Sequence, residues 1–382
     1  MRHTAMHPGL HQLIRLATLV IAMAIVSAAV TPEPAHAIPS VRATPASSAT
    51  TARVVADSGI IRGVVRDDAT GAVLPYAVVS VASLGIERFA NSEGQFVLQN
   101  LRAGTYRLRV RQLGHSPVEI DVTLAAGAVE NIVVRMPRIT TKLAAMRVSA
   151  DWECTTPGRP TRESASESAQ IFEQIEQNAQ RLRLLAESFP FELDVERRIY
   201  DTLDDETGRL QSVDTTRLVS STRTQYVPGK VIVDVVRGIT KESAVQLPTL
   251  LDFADSTFQR THCFLFRGTD DSSGTALLRL DFKVSRKIKS PDVNGSVYLD
   301  PTTYALRRAD IELSDIPRQF KGLYSVRVTT NFVELAPGLP VTGTVNGVNE
   351  FSRRGKRTSV TGSLEQHVPI GIRFLKGRPD GK

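Results

Sequence analysis

Between residues 59 and 137 apolar and polar side chains alternate almost one by one. Turn-forming clusters at Asp67-Asp68-Ala69-Thr70-Gly71, Asn91-Ser92-Glu93-Gly94 and residues 100–104 cut the alternation into short runs. That rhythm leaves little choice of fold, because a period of two marks a half-buried strand and closely spaced short strands close into a sandwich. Within it Tyr106, Leu108 and Val110 take one face and Arg107, Arg109 and Arg111 the other, since successive strand side chains point to opposite sides. The next run sets Ile120, Val122 and Leu124 against Glu119, Asp121 and Thr123. In a hairpin those acids lie across from the arginines, so the arginine stripe reads as a solvated, charge-paired face in preference to an anion-binding patch.

The residues that punctuate this stretch fall into recognisable groups: Gly63-Val64-Val65-Arg66-Asp67, Thr70-Gly71, Leu74-Pro75-Tyr76-Ala77-Val78-Val79-Ser80-Val81, Asn91-Ser92-Glu93-Gly94-Gln95-Phe96 and Leu101-Arg102-Ala103-Gly104-Thr105-Tyr106. They resemble the carboxypeptidase regulatory-like (transthyretin-like) family. The resemblance continues through Val110-Arg111-Gln112-Leu113-Gly114-His115, where such domains commonly carry an aromatic after the glycine and this chain has His115. It implies an accessory β-sandwich, of the kind found beside zinc peptidases and at the front of outer-membrane receptors, with no catalytic residues of its own. Residues 139–150 in turn resemble the short segment that links this module to the plug of TonB-dependent receptors, although a linker strand is the favoured reading of them.

Farther along, Ile171, Phe172, Ile175, Ala179, Leu182 and Leu185 recur at three and four residues and give residues 164–188 one apolar helical face. Ser164 and Glu167 have capping-box spacing, and Phe189-Pro190 ends the pattern. Packing onto an adjacent sheet is the expected use of that face. From Phe191 onward, turns at 204–208, Pro228-Gly229, 270–274 and 300–303 separate alternating runs, the clearest hairpin joining 295–299 to 304–312. The expected fold class is therefore mainly β: a transthyretin-like β-sandwich, then a helix and a large antiparallel sheet, flat or curved into a half-barrel. This region, with Phe258-Gln259-Arg260-Thr261-His262-Cys263-Phe264, resembles an uncharacterised region found with the regulatory-like module in bacterial envelope proteins. It is also similar in architecture to periplasmic lipoprotein carriers, whose concave face holds acyl chains.

A chain of 382 residues exceeds one typical core, which agrees with two domains. Arg2 and Arg15, an apolar run over 16–30 and Ala35-His36-Ala37 make a three-part secretory signal, so the exported chain is expected to begin near Ile38. The apolar run is short for a membrane span and Pro32 and Pro34 follow it, which favours a cleaved signal over an anchor. The expected organisation is a signal peptide at 1–37, a disordered Ala/Thr/Ser/Pro linker at 38–58, the sandwich at 59–137, a linker at 138–163 and the helix-plus-sheet domain at 164–376. The net charge of +7 is spread along the chain, so nucleic acid is not an expected partner.

Catalytic constellations lack their parts. Only His115, His262 and His367 follow the signal, with no His-Glu-x-x-His, no Gly-x-Ser-x-Gly and no Gly-x-x-x-x-Gly-Lys. Pro117 and strand alternation make His115 and Glu119 poor co-ligands. No catalytic, cofactor-binding or metal residue is assigned, and no cofactor is expected. The two cysteines, Cys154 and Cys263, are expected to form one disulfide in an oxidising compartment, tying the segment beside Trp152 to the strand of His262. A Cys263 nucleophile beside His262 is the lesser alternative, because strand neighbours face opposite sides. The expectation is a non-enzymatic protein of the periplasm or cell envelope, recognising an envelope protein, a glycan or a lipid. Alternatives are a peptidase-associated accessory protein or carboxypeptidase-like enzyme, and a component related to the front of TonB-dependent receptors.

Overall fold

The computed structural model describes residues 20–22, 58–139, 152–202, 208–222, 225–237, 240–272, 274–353 and 356–379. The expected signal, apart from 20–22, the linker at 38–57, the receptor-like segment at 140–150 and the turn at 204–207 lie outside the described residues. The chain forms two compact units, Ile25–Ile139 and Thr140–Lys382, the latter together with Met1–Ala24. Val20–Ala22 (β1) belongs with that second unit.

In the first unit, β2 (Gly59–Asp67) pairs antiparallel with β5 (Gln95–Leu101) and parallel with β8 (Val129–Met136). The facing sheet runs in the order β4 (Ile86–Phe89), β3 (Val78–Val81), β6 (Gly104–Arg111), β7 (Val118–Leu124). Alternate residues of both sheets meet in one core that includes Ile61, Val65, Phe96, Leu98, Leu108 and Val134. The turn before Phe96 needs glycine at position 94: its φ is +70°, and a Cβ would stand 2.9 Å from the Val65 carbonyl. The arginine stripe is paired as its strand alternation requires. Arg107 donates to Asp121 at 2.9 Å and Arg109 lies 3.8 Å from Glu119, both pairs on opposed positions of β6 and β7, whereas Arg111 turns to Glu87 of β4.

The second unit is built on an open nine-stranded antiparallel sheet. Seven strands form a meander: β13 (His262–Asp270), β14 (Leu277–Val284), β15 (Val293–Leu299), β16 (Leu306–Leu313), β17 (Leu323–Glu334), β18 (Pro340–Arg353) and β19 (Lys356–Phe374). The earlier hairpin of β9 (Phe191–Thr202) and β10 (Arg209–Val219) then adds to the free side of β19. A smaller sheet joins β11 (Ile232–Arg237), β12 (Thr240–Gln246) and β1.

Helix α1 (Arg162–Ser188) lies against one face of the large sheet. It begins two residues before the expected start: Thr161 is the N-cap and Ser164, the third helical position, bonds back to it, so the box is Thr161/Ser164 and not Ser164/Glu167. The backbone leaves helical geometry once, at Ala165 (φ −160°, ψ 74°). Ile171, Phe172, Ile175, Ala179 and Leu185 are buried as their spacing predicts, while Leu184 takes the place expected of the half-buried Leu182. Buried polar residues share that face. Ser168 accepts from the Phe266 amide at 3.0 Å; Asn178 donates to the Tyr304 carbonyl at 2.9 Å and accepts from the Leu306 amide at 3.0 Å; Arg181 donates to the Gly338 carbonyl. These side chains satisfy backbone groups at a bend and at two turns that the ladder cannot reach. Around helix α2 (Ser256–Thr261), Phe253, Phe258, Phe282 and Tyr226 fill the same side of the sheet with ring centroids 4.9–5.7 Å apart. Among the described residues no helix is long and apolar enough to cross a membrane.

Candidate functional site

The opposite face of the large sheet is polar, and antiparallel register makes it so. Asp281 opposes Ser296, Ser296 opposes Asp310, Asp310 opposes Thr329 and Thr329 opposes Asn346, a rung of hydrogen-bonding side chains across β14 to β18. With a period of two, every residue of this rung shares a face, and its neighbours Phe282, Ile311 and Val328 go to the other. Gly295 keeps the sheet closed at this point, since a Cβ there would run into the Asp310 carbonyl and the Phe282 ring. Above the rung lies a trough of about 690 Å³, bounded by Arg267, Lys283, Tyr298, Glu312, Arg327 and Trp152.

Its charges are matched in place. Asp281 accepts from Arg267 and Arg279, each at 2.7 Å, and from Ser296 at 2.7 Å. Arg279 also donates to Asp270 at 3.1 Å. Burial works against the Arg279 charge, but the hydrogen bond and charge of Asp281, with Tyr298 and Asp270, more than offset it and raise its pKa. Burial likewise raises the Tyr298 phenol, which stays neutral with Arg308 stacked 4.0 Å over its ring. Asp310 accepts from Thr329 at 2.9 Å and lies 3.3 Å from Arg308, and Arg327 donates to Glu350 at 2.5 Å. Two atoms are exceptions: Asn346 Oδ1 and Arg308 Nε are buried with no hydrogen-bond partner among the described residues, Arg308 meeting Asp310 as an ion pair only.

The disulfide belongs to this site. Cys154 and Cys263 are bonded, with Cα atoms 5.4 Å apart, and Cys263 opposes Lys283 in the β13–β14 ladder. Lys283 Nζ donates to the Trp152 carbonyl at 3.0 Å, so bond and hydrogen bond together hold the segment of Trp152 at the rim of the trough. With its sulfur in the bridge, Cys263 is not a nucleophile. His262 projects to the other face, stacked on Phe258 at 4.0 Å, its ring nitrogens 3.0 Å from the Phe258 carbonyl and 3.1 Å from that of Val293.

The other two histidines are held in buried ionic clusters. His115 Nε2 stands 3.1 Å from Asp67, which also accepts from Arg138 at 2.6 Å and from the Thr70 amide at 2.8 Å. Those bonds, Arg138 foremost, hold the Asp67 carboxyl well below the usual carboxylate range. His115 thus fastens the connection between β6 and β7 to the turn after β2, which accounts for a polar residue where the resemblance suggests an aromatic. In the second unit Glu365 accepts from Arg197 at 2.5 Å and lies 2.8 Å from His367. Burial pushes the Glu365 carboxyl up, but those two partners win and leave it below its ordinary value. Among the described residues no three His, Cys, Asp or Glu side chains gather as a metal site.

The sequence reading found the cysteines and the strands but not the rung. Each member is an ordinary polar residue on the outward phase of its own strand, and only register across strands brings them together.

Residues 60–137 match the carboxypeptidase regulatory-like domain, so the first unit is a module of that class. No curated protein matches the chain. Among solved structures, a chain of a type II cohesin–X-dockerin complex from Acetivibrio cellulolyticus is 19% identical, with a TM-score of 0.18 over 20% of this chain and 56% of that one. This chain therefore spans little more than half the length of that structure. The major pilin subunit BcpA of Bacillus cereus is 12% identical, with a TM-score of 0.19 over 85% of this chain and 91% of that one. A protein of unknown function from Bacteroides fragilis is 10% identical, with a TM-score of 0.18 over 82% of this chain and 98% of that one. Scores and identities of this size define no shared fold, and no property passes from these proteins to this chain.

Proposed function

We propose that this chain is an exported protein of the cell envelope that binds a ligand in the trough of its second unit and does no chemistry on it, the regulatory-like sandwich serving as an accessory module. The observation that carries this reading is the pairing of the two carboxylates on the trough's floor, Asp281 and Asp310, which leaves the exposed Glu312 as the one lining carboxylate outside those pairs. General acid–base or nucleophilic work needs a group free to exchange a proton or to attack, whereas Asp281 is held by two arginines and a serine and Asp310 by a threonine and an arginine. A concave site with an aromatic at its edge and convergent polar groups on its floor is the usual form of a binding site. The polar rung also offers an acyl chain no apolar floor, which favours a polar ligand over a lipid. Export rests on the three-part N-terminus and fits a disulfide-bonded chain.

The test incubates the purified exported protein with peptide and oligosaccharide libraries and follows both by mass spectrometry, alongside N-terminal sequencing of the exported form. The reading expects unchanged libraries and a chain beginning near Ile38. Release of C-terminal amino acids would establish the carboxypeptidase-like alternative, and retention of Met1 would remove export by a cleaved signal.

A further inference from the structure

Resting on the binding-protein reading, we infer that the trough takes a neutral oligosaccharide, with Trp152 as its stacking wall and the Ser296–Asp310–Thr329–Asn346 stretch of the rung as its hydroxyl partners.

The charge bookkeeping of the site points to a ligand without charge. Arg267 and Arg279 are matched by Asp281 and Asp270, Arg308 by Asp310 and Arg327 by Glu350. Lys283 and the exposed Glu312 add one charge of each sign to the lining. Lys283 and Glu312 offer a charged ligand one contact of each sign, but to engage the floor it has to break the pair of Arg267 and Asp281, which are only 12% and 10% exposed. Separating such a pair leaves a desolvated charge behind and costs several kcal/mol. A hydroxyl breaks nothing. It donates and accepts at once, so it can give a proton to the remaining lone pairs of Asp310 or Asn346 while accepting from an arginine N–H.

Two further observations fit the same chemistry. Asn346 lines the trough, and its Oδ1 has no donor among the described residues, an uncommon state for a buried amide oxygen; the atom is sealed from solvent here, so a ligand hydroxyl relieves it only when the Asn346 side chain turns into the trough. Trp152, the one tryptophan in the chain, lies at the rim, where an indole offers a broad apolar face to the C–H side of a sugar ring. The bond from Cys154 to Cys263 fixes its segment there, which makes the disulfide a positioning element for the ligand as well as a brace for the fold.

Because Trp152 is the sole indole, its emission reports on the trough directly. The intact exported protein is titrated with neutral tetrasaccharides of glucose, mannose and N-acetylglucosamine, with tetragalacturonate as the acidic probe, palmitate as the lipid probe and a mixed-sequence octapeptide. The expected result is saturable change in Trp152 emission with at least one neutral probe. Its affinity should move by less than about twofold between about 0.05 and 0.5 M NaCl, because no ion pair forms. Thr329→Val and Asn346→Ala should each weaken it about tenfold in calorimetry, the loss of one or two ligand hydrogen bonds. Both are checked for native circular dichroism, and two variants guard against either one misfolding. Binding by tetragalacturonate, palmitate or the octapeptide alone overturns the oligosaccharide and leaves the binding-protein reading standing. Undiminished affinity in both variants overturns the trough as the site. A silent panel overturns the inference as well, whereas chemical conversion of any probe sinks the broader reading.

Discussion

Both units obey the same two-residue alternation, yet they put their outward charges to different use. On the sandwich, Arg107 and Asp121 pair on a surface where they stay 70% and 52% exposed. On the large sheet, Arg267 and Asp281 pair at 12% and 10% exposure, at the bottom of a trough. Charges of the first kind decorate a surface, since water screens them and their pairing contributes little. Those of the second kind are held in fixed positions by partners they cannot leave cheaply, which is what a binding floor requires. Depth, more than residue type, separates surface from site in this molecule.

The difference can be broken at several points. The largest effect belongs to the disulfide, which closes a loop of 109 residues in the second unit. Cys154→Ser, Cys263→Ser and the double replacement should each lower that unit's stability by about 4–5 kcal/mol in the chain-entropy account, with no additivity because all three remove one bond. Denaturant unfolding read through Trp152 measures this, and thiol titration of the unreduced, denatured protein should find no free thiol. Next, Glu365→Ala should cost about 3–4 kcal/mol, since it leaves the buried Arg197 with a lost partner.

Smaller again, Asp67→Asn should destabilise the sandwich by about 2–3 kcal/mol through its lost charged hydrogen bonds. The sign of its pH dependence follows from the depressed carboxyl. Asp67 contributes fully above its unfolded pKa, near 4, and that contribution fades as pH falls below it toward the lower folded value. The wild-type sandwich should therefore lose more stability between about pH 5 and 2 than the Asn variant does, as thermal melts across that range would show. Smallest of all, Arg107→Ala should leave the melting midpoint of the sandwich unchanged, which tests the claim that exposed pairs only decorate.

Much of this was legible in advance. The sandwich strands, the apolar face of the helix and the 295–312 hairpin follow from periodicity and turn residues, because each is decided within one segment of chain. What periodicity could not give was anything that needs register. The rung from Asp281 to Asn346 spans five strands, and a shift of one residue in any of them would send its member to the other face. Ser168, Asn178 and Arg181 were invisible for a related reason: their burial is justified by backbone groups at a distant register shift and at turns, as Asn178 shows with Tyr304 and Leu306. The helix start shifted by two residues because Thr161 and Ser164 can cap as well as Ser164 and Glu167 can, and spacing alone does not choose between them.

Hydrogen exchange on the full chain, with and without the tightest-binding neutral oligosaccharide, tests the division of labour most directly. The account predicts slowed exchange in β14 to β18 and around Trp152, and no change across residues 59–136. Slowing in the sandwich with none in β14 to β18 would contradict it.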